Sequence, residues 1–271
     1  SDKMNAQPII KVENISKSFT STRALNKVSF KMFSGEVRGL IGENGSGKST
    51  ISAIISGNLE PDSGYMYFHG QPYKPQNSFE ASEEGITMII QEQGTIATIS
   101  AAANIFAGRE EKFCKNGILN SKELNKEARK LLVRVGASHI DPEAIVSKLS
   151  LEDRKLVEIA RAFYKLPEIF IVDETTTALP QSGREVLYKL IRMLKEKGKA
   201  VLFISHDIDE VIQVCDSVTI LRDGQYITTL SKEEMEPSKI KSLMVGREVM
   251  ENFYRSDTKG SCVGDEEVLR L

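Results

Sequence analysis

One segment of the sequence has a spacing specific for phosphate chemistry, the octet Gly42-Glu43-Asn44-Gly45-Ser46-Gly47-Lys48-Ser49. It matches G-x-x-x-x-G-K-[S/T], in which glycines let backbone amides turn toward phosphate oxygens. An apolar run precedes it and a helical pattern follows, so a helix N-terminus would add partial positive charge. We expect Lys48 to reach the β and γ phosphates of a nucleotide, Ser49 to ligate Mg²⁺, and Thr50 to add a hydroxyl near the α-phosphate. A glycine-rich turn without a ligand is the alternative, and the flanking elements disfavour it.

Two adjacent carboxylates provide the other half of such a site. Asp173 and Glu174 follow the apolar run 169–172, and a carboxylate at the end of a buried strand can hold Mg²⁺ through water. Glu174 can orient or deprotonate an attacking water. His206 ends the strand-like run 200–205, and its imidazole is placed to contact the γ-phosphate. A strand-end turn and a structural histidine are the alternative interpretations. The other histidines, His69 and His139, are assigned no role.

The elements that position these residues follow from apolar periodicity. Strand-like patterns cover residues 9–12, 28–32, 36–41, 65–68, 169–172 and 200–204. Helix-like patterns cover residues 50–56, 124–135, 156–163 and 186–194, and Gly57, Gly136 and Gly198 end the first, second and fourth of them. Strands that alternate with helices predict a parallel sheet covered by helices. The helical stretch from about 100 to 164 predicts an inserted subdomain.

Composition excludes several classes of protein. A formal net charge of -2 gives no general basic face for nucleic acid. No apolar run approaches the roughly 20 residues of a membrane-spanning helix, and residues 1–8 lack the apolar core of a signal peptide. A protein of this kind that served a membrane would dock on a separate subunit. The scattered Cys114, Cys215 and Cys262 argue against a disulfide scaffold or a zinc site, and Cys215 is expected to be a packing residue.

Taken in order, these residues resemble the nucleotide-binding domain of ATP-binding cassette (ABC) transporters over about residues 8–250. The resemblance implies an α/β P-loop NTPase fold of the ABC ATPase type. Its parts would be a mostly parallel sheet core, an N-terminal antiparallel β subdomain and a helical subdomain inserted at about 95–165. ATP and Mg²⁺ are the ligands that it implies.

The resemblance also implies roles for individual residues. Phe19 stands where the family places an aromatic that stacks on adenine. Gln91 matches the Q-loop glutamine, which touches Mg²⁺ and water and senses the membrane subunit, and His206 matches the switch histidine. The segment LSLED occupies the place of the LSGGQ signature, which faces the ATP of a partner cassette, and its candidate residues are Ser150, Leu151, Glu152 and Asp153.

Two departures from the family pattern concern the face offered to that partner. Leu151 and Glu152 replace the signature glycines, and Glu152 would add negative charge near a phosphate unless its side chain turns away. Pro180 replaces the aspartate of the D-loop in the segment 177–180, which removes a carboxylate and a backbone donor. The sequence therefore predicts a complete phosphate site of its own and a degraded face toward the partner's ATP.

Finer features are similar to one branch, the ATPases of bacterial monosaccharide importers (ribose, galactose and the related autoinducer-2 type). They are IIQE, VEIARAF, HDIDEVIQVCDSVTILRDG and LMVGRE. Proteins of that branch usually carry two cassettes in one chain. Because EEVLRL near the end resembles PIIKVENI near the beginning, residues 251–271 are expected to be a linker and the start of a second cassette.

The resemblance implies an ATP-binding importer subunit that hydrolyses ATP to ADP and phosphate to drive uptake of a sugar or a related small polar solute. Its partners would be a second ABC cassette, a membrane permease and, indirectly, an extracytoplasmic solute-binding protein, with no nucleic acid. It would sit peripherally at the cytoplasmic face of the membrane. A soluble non-transport ABC ATPase, a regulatory cassette with little hydrolysis, and an exporter are the alternatives that the residues leave open.

Overall fold

The computed structural model describes residues 6–90, 94–174 and 179–246. Gln91, the first half of the predicted D-loop segment at 177–178, and the predicted linker and second-cassette segment at 251–271 lie outside the described residues. Within the described ranges, no helix combines the length and the apolar character needed to cross a bilayer.

The strands of the described ranges are β1 (Ile10–Phe19), β2 (Thr22–Met32), β3 (Val37–Ile41), β4 (Ser63–Phe68), β5 (Gln71–Pro72), β6 (Ile86–Ile89), β7 (Cys114–Lys115), β8 (Ile118–Leu119), β9 (Ile169–Asp173), β10 (Ala200–Ile204), β11 (Ser217–Arg222) and β12 (Gln225–Ser231). The α-helices are α1 (Lys48–Ile55), α2 (Ser78–Glu84), α3 (Ala101–Ile105), α4 (Ser121–Arg134), α5 (Leu151–Ala162), α6 (Gln181–Glu196), α7 (Ile208–Val214) and α8 (Pro237–Val245). Short 3₁₀ turns cover Glu110–Phe113, Val146–Lys148 and Lys232–Glu234.

The central sheet has the order β12-β11-β3-β10-β9-β6, and every neighbouring pair in it is parallel except the edge pair β11 and β12. Parallel strands have their carboxyl ends at the same edge of the sheet. The segments that follow β3, β9 and β10 therefore meet at one edge. They begin at Gly42, Glu174 and Ser205, so the predicted site residues are brought to one place by the topology.

Both faces of this sheet are covered, which confirms the prediction from the continuous apolar runs. Val201 and Phe203 of β10 pack into a core shared with α3 to α8, while Leu202 and Ile204 pack into a second core shared with α1 and the N-terminal strands. A strand buried on both faces has no polar side, and this is why residues 200–204 show no alternation.

The N-terminal strands form a separate antiparallel sheet with the order β2-β1-β4-β5. Both long strands extend well beyond the patterns at 9–12 and 28–32. The pairing of β1 shifts register between Val12 and Ile15, and Asn14 there has φ 50. Such a bulge breaks the two-residue alternation, so the apolar pattern predicts only part of each strand.

The helices between residues 101 and 162 pack on one another and on the sheet. α4 begins after Asn120, whose side chain accepts a hydrogen bond from the Glu123 amide, and it buries Leu124, Ala128, Leu131 and Leu132. The pattern at 156–163 misses the start of α5 because its first turn is polar. The sequence patterns also miss α2, which has only 7 residues, too few for a helical period to be recognised. Cys215, at the end of α7, is buried as predicted.

Candidate active site

The phosphate loop joins β3 to α1, in the context that its spacing predicts. β3 ends at Ile41, and α1 starts at Lys48 with Gly47 as its N-cap. Gly47 has φ +102, and a Cβ there would lie 2.6 Å from the Leu25 side chain, so glycine is required at this entry to the helix. The loop amides and the unpaired amides of the first helical turn can therefore serve one anion.

Lys48 is buried at the base of this loop. Its ammonium Nζ donates to the carbonyl oxygens of Gly42 at 2.5 Å and Glu43 at 3.1 Å. Burial lowers the pKa of Lys48, while the nearby carboxylates of Glu174, Asp173 and Glu43 act in the opposite direction. An ammonium that rests on carbonyl oxygens can exchange one of them for a phosphate oxygen, which is a stronger acceptor.

A cavity of about 250 Å³ opens above the loop. Its lining comes from the loop, the first turn of α1, β2 and the residue that follows β9: Thr22, Ala24, Asn44, Gly45, Ser46, Gly47, Lys48, Ser49, Thr50 and Glu174. Thr22 and Ala24 were not predicted as site residues. Both belong to β2, which is distant from the phosphate loop in sequence, so no local pattern predicts that they lie here.

Phe19 lies beside the cavity but is not part of its lining. It ends β1 and pairs across the hairpin with Thr22, which does line the cavity. Its ring is 46% exposed, and the Lys17 ammonium lies 5.7 Å from the ring centroid. An exposed ring at the rim can stack on a flat base, and the role of Phe19 toward adenine stays a prediction.

The sheet brings Asp173, Glu174 and His206 together. Asp173 pairs with Ile204 of β10, and the Glu174 amide donates to the Ile204 carbonyl oxygen at 2.9 Å. His206 follows shortly after, and its Nδ1 lies 3.5 Å from Glu174 Oε1. Glu174 has φ 48, in the left-handed region that non-glycine residues rarely adopt. A base candidate and an imidazole thus face each other next to the phosphate loop.

Burial raises the pKa of Asp173 from 3.8 to about 6, with a further contribution from Glu174 and an opposing one from Lys48. A carboxyl group whose pKa is higher in the folded state destabilises that state as pH rises from about 4 to about 6. Below that range the group is protonated in both states, and above it the full penalty applies. Asp173 is therefore a carboxylate whose charge is incompletely compensated by its protein neighbours.

Asp173→Asn is expected to stabilise the nucleotide-free chain at pH 7 to 8 by roughly 1 to 2 kcal/mol, after allowance for the exposed part of the side chain. Removing the ionisable group removes the penalty. Thermal unfolding at pH 4 and pH 7.5, compared with wild type, measures it. The two proteins should differ at pH 7.5 and agree more closely at pH 4. A variant that loses stability at pH 7.5 contradicts this account of the carboxyl group.

The signature residues do not line the described cavity, and each has local partners. The Ser150 hydroxyl caps α5 by accepting from the Asp153 amide at 3.1 Å, and Leu151 is 66% exposed. The Glu152 carboxylate turns toward α6 and accepts from the Ser182 hydroxyl at 3.0 Å. His139, assigned no role from the sequence, lies with Nε2 2.6 Å from Asp153 Oδ1. Because the Glu152 side chain is directed toward α6, its carboxylate points away from the N-terminal end of α5, where the family has its signature glycines.

A buried ion pair on α5 holds Ile90 and Gly94, the residues on either side of the segment 91–93 that contains Gln91. Lys155 Nζ donates to the Ile90 carbonyl oxygen at 2.6 Å and to Glu158 Oε2 at 2.7 Å. The two Glu158 oxygens accept from the Ile90 amide at 3.4 Å and the Gly94 amide at 3.3 Å. α5, which begins at the signature, is therefore bonded to both sides of the segment 91–93.

The sequence patterns missed one structural support of the loop, the turn between β11 and β12. The Gly224 amide donates to the Ser46 carbonyl oxygen at 3.1 Å, and the Gly224 carbonyl oxygen accepts from the Asn26 amide at 2.8 Å. A Cβ at Gly224 would lie 2.5 Å from the Ala24 carbonyl oxygen. The Asp223-Gly224 dipeptide is a hairpin-turn signal, but nothing in the local sequence says that this turn packs on the phosphate loop.

Gly224→Ala is expected to destabilise the chain and to weaken nucleotide binding, because the new methyl group would push the turn away from β2 and disturb its hydrogen bond to Ser46 of the loop. Gly198→Ala is a matched control: both glycines have φ +73, but a Cβ at Gly198 meets nothing within 4 Å. Each variant should lose about 1 kcal/mol from the left-handed backbone, and only Gly224→Ala should lose more. Urea unfolding measures the difference, and equal losses contradict the proposed support.

Three comparisons with known proteins agree with this geometry. The family model described as ABC transporter matches residues 25–177. The chain is 37% identical over 254 residues to a ribose import ATP-binding protein of Clostridium perfringens strain SM101, covering 93% of this chain and 50% of that protein. The chain thus spans about half the length of the curated relatives that it matches.

Solved structures give the same result. An ATP-binding cassette of an ABC transporter in its ADP conformation aligns with a TM-score of 0.72 and 27% identity, covering 89% of this chain and 100% of that one. A dimeric cassette in a post-hydrolysis state, bound to ADP and phosphate, aligns with a TM-score of 0.70 and 25% identity, covering 82% and 98%. The fold predicted from the resemblance is confirmed. On its site, its fold and these matches, the chain is an ATP-binding cassette that belongs to the ABC transporter family.

Proposed function

We propose that this cassette hydrolyses ATP to ADP and phosphate, and that hydrolysis drives uptake of a sugar or a related small polar solute through a separate membrane permease. The observation that carries the proposal is the approach of Glu174 Oε1 to 3.5 Å from His206 Nδ1, with Glu174 lining the same cavity as Lys48. Support for the sugar comes from the relative whose printed name is a ribose import protein.

In this proposal the phosphate chain of ATP lies along residues 42–50. The loop amides and the first turn of α1 bind the phosphate oxygens, and Lys48 neutralises charge on the β and γ phosphates. Adenine stacks on Phe19 at the rim. This placement uses the cavity between the phosphate loop and β2.

The residues present fit a Mg²⁺ ion. Ser49 lines the cavity with Glu174, and the raised pKa of Asp173, to about 6, marks a half-buried carboxylate that a cation would stabilise. No cluster of three or more His, Cys, Asp or Glu suited to a metal occurs among the described residues, so oxygen ligands from the nucleotide would be needed as well. Ser49, Asp173 and Gln91 are the proposed protein-side ligands. When bound, Mg²⁺ would neutralise charge that develops on the phosphate oxygens.

Glu174 is the proposed base. Its carboxylate orients a water molecule and takes the proton as the water oxygen bonds to the γ phosphorus and the bond to the β–γ bridging oxygen breaks. His206, which is 58% exposed beside it, contacts the γ-phosphate and stabilises the negative charge on the departing inorganic phosphate. The products are ADP and phosphate.

A second cassette would complete each site. In a head-to-tail pair, the signature of the partner covers the ATP held by Lys48, while Ser150 to Asp153 of this chain face the partner's ATP. This chain's signature has Leu151 and Glu152 in place of the two glycines. Leu151 is 66% exposed, and Glu152 is hydrogen-bonded to Ser182. We propose that the site built on Lys48 hydrolyses and that the other site is slow or only binds ATP.

The permease is proposed to dock beside the segment that contains Gln91. A cavity of about 480 Å³ borders Ile90 and Gly94, which flank that segment, and Phe79 and Arg109 also line it. Its mixture of an exposed ring and buried charges suits a protein partner. In this proposal the cassette sits peripherally at the cytoplasmic face of a membrane, with a solute-binding protein on the other side.

Transport is the test of this function. The full-length protein that contains this chain, isolated from its native membranes, should bring down a permease with several membrane spans. In proteoliposomes, its ATP hydrolysis should rise when a sugar-loaded solute-binding protein is added, and Lys48→Ala should abolish that rise while the remote Lys74→Ala keeps it. Recovery with ribosomes, together with hydrolysis that ignores sugar, contradicts import and supports a soluble ABC ATPase.

A further inference from the structure

A buried polar network lies behind the candidate histidine. Glu210 of α7 is only 8% exposed, and its Oε2 accepts from the Ser205 hydroxyl at 2.8 Å. Its Oε1 accepts from the Tyr188 hydroxyl of α6 at 2.5 Å. Ser205 is itself 2% exposed. One carboxylate therefore joins the end of β10, the first turn of α7 and the middle of α6.

This network fixes both neighbours of His206. Ser205 precedes it directly, and the Asp207 amide donates to the Ser205 hydroxyl oxygen at 3.1 Å. Asp207 in turn caps α7, since its Oδ1 accepts from the Glu210 amide at 3.2 Å. The imidazole is 58% exposed, so packing does little to hold it. Its position beside Glu174 depends on the backbone at 205–207.

We propose that Glu210 is a positioning residue for His206, and that Tyr188 couples this position to α6. The inference rests on the proposed hydrolysis and deepens the role of His206 in it. A cavity of about 560 Å³ separates α6 from the start of α7, so the Tyr188–Glu210 hydrogen bond bridges a gap. α6 begins at Gln181, directly after Pro180, so this hydrogen bond links the helix that follows Pro180 to the backbone beside His206.

The chemistry of the network requires a carboxylate. Glu210 accepts from two hydroxyl groups, one at each oxygen. Glutamine has a single acceptor oxygen and would turn its NH₂ group toward one of those hydroxyls. A buried hydroxyl whose acceptor oxygen is replaced by an NH₂ donor loses its hydrogen bond, which is unfavourable and would shift the loop.

Glu210→Gln is expected to lower kcat for ATP hydrolysis about 10-fold to 100-fold with KM nearly unchanged, since displacing a catalytic group by less than about 1 Å has effects of that order. Tyr188→Phe, which keeps the ring, should lower kcat by a smaller factor. Glu185→Gln is the control, because Glu185 is an exposed residue of α6 that borders the same cavity but lies outside the network. These rates are measured in the full-length protein.

A double-mutant cycle separates positioning from general damage. In a His206→Ala background, Glu210→Gln should cause no further loss of kcat, because the residue acts through the imidazole. A loss of the same factor in both backgrounds overturns the proposal.

A second readout does not depend on hydrolysis. The ring resonances of His206 in the nucleotide-free chain, assigned by their absence in His206→Ala, should shift in Glu210→Gln and Tyr188→Phe but not in Glu185→Gln. Unshifted resonances overturn the proposal even if kcat falls. If Glu174→Gln leaves hydrolysis intact, the proposed function fails, while the resonance measurement still decides the positioning role. Should Glu210→Gln fail to fold, Tyr188→Phe carries both measurements.

Discussion

Glu174→Gln is expected to reduce ATP hydrolysis by at least about 100-fold while ATP binding is kept. The amide has the size and shape of the carboxylate but cannot take a proton from water, and a positioned base contributes roughly 10²- to 10⁴-fold. The change leaves the backbone at 174, with φ 48, and the hydrogen bond from its amide to the Ile204 carbonyl oxygen unaffected. Single-turnover release of phosphate measures hydrolysis, and titration with a fluorescent ATP analogue measures binding.

The control for this prediction is Glu196→Gln, which removes a carboxylate at the end of α6 and should leave both measurements unchanged. The assignment of the hydrolytic site is tested in the full-length protein. If it contains a second cassette, the matching glutamine substitution there should have a much smaller effect than Glu174→Gln. The opposite pattern, with turnover lost only through the second cassette, would mean that this chain's site is not the hydrolytic one.

Lys48→Ala is expected to weaken ATP binding by about 100-fold. The ammonium already lies within hydrogen-bond distance of two loop carbonyl oxygens. When a phosphate oxygen replaces one of these acceptors, the hydrogen bond between the two charged groups contributes roughly 1.5 to 3 kcal/mol. Folding should survive, because Lys48 is a desolvated cation whose pKa is lowered by burial. Isothermal titration with Mg–ATP and with ADP measures the effect.

Lys74→Ala is the matched control for Lys48→Ala, since its ammonium is 80% exposed and no described contact joins it to the loop. It should bind ATP as the wild type does. The same affinity in Lys48→Ala and wild type would remove Lys48 from the phosphate site. A loss for ATP and ADP alike would place the ammonium on the β-phosphate, and a selective loss for ATP would place it on the γ-phosphate.

The parts of the site that the sequence predicts are those encoded locally. Gly47, Lys48 and Ser49 are adjacent, and their spacing alone defines a loop that leads into a helix. The buried strands are visible because β3, β9 and β10 are covered on both faces and therefore remain apolar throughout. Their parallel order then places Asp173, Glu174 and His206 at one edge, so the central site follows from strand order.

The parts that it does not predict depend on contacts between distant segments. Gly224 looks like an ordinary turn residue until β11 is placed beside β3, which puts the turn under Ser46. Glu152 reads as a misplaced charge until α6 brings Ser182 within 3.0 Å. Tyr188 and Glu210 belong to different helices, and neither helix carries a motif. The roles of Phe19 and Gln91 rest on family resemblance, because neither residue belongs to a local pattern with chemistry of its own.

The left-handed backbone of Glu174 has a consequence for engineering. A glycine at this position would adopt φ 48 without strain, and relief of that strain, less the greater entropy that glycine loses on folding, stabilises a protein by up to about 1 kcal/mol. Random mutagenesis followed by selection for heat resistance alone would therefore favour replacing this residue. Sturdier cassettes obtained in that way would still bind nucleotide but would have lost the proposed base. Any thermostabilised variant should accordingly be selected for turnover at the same time.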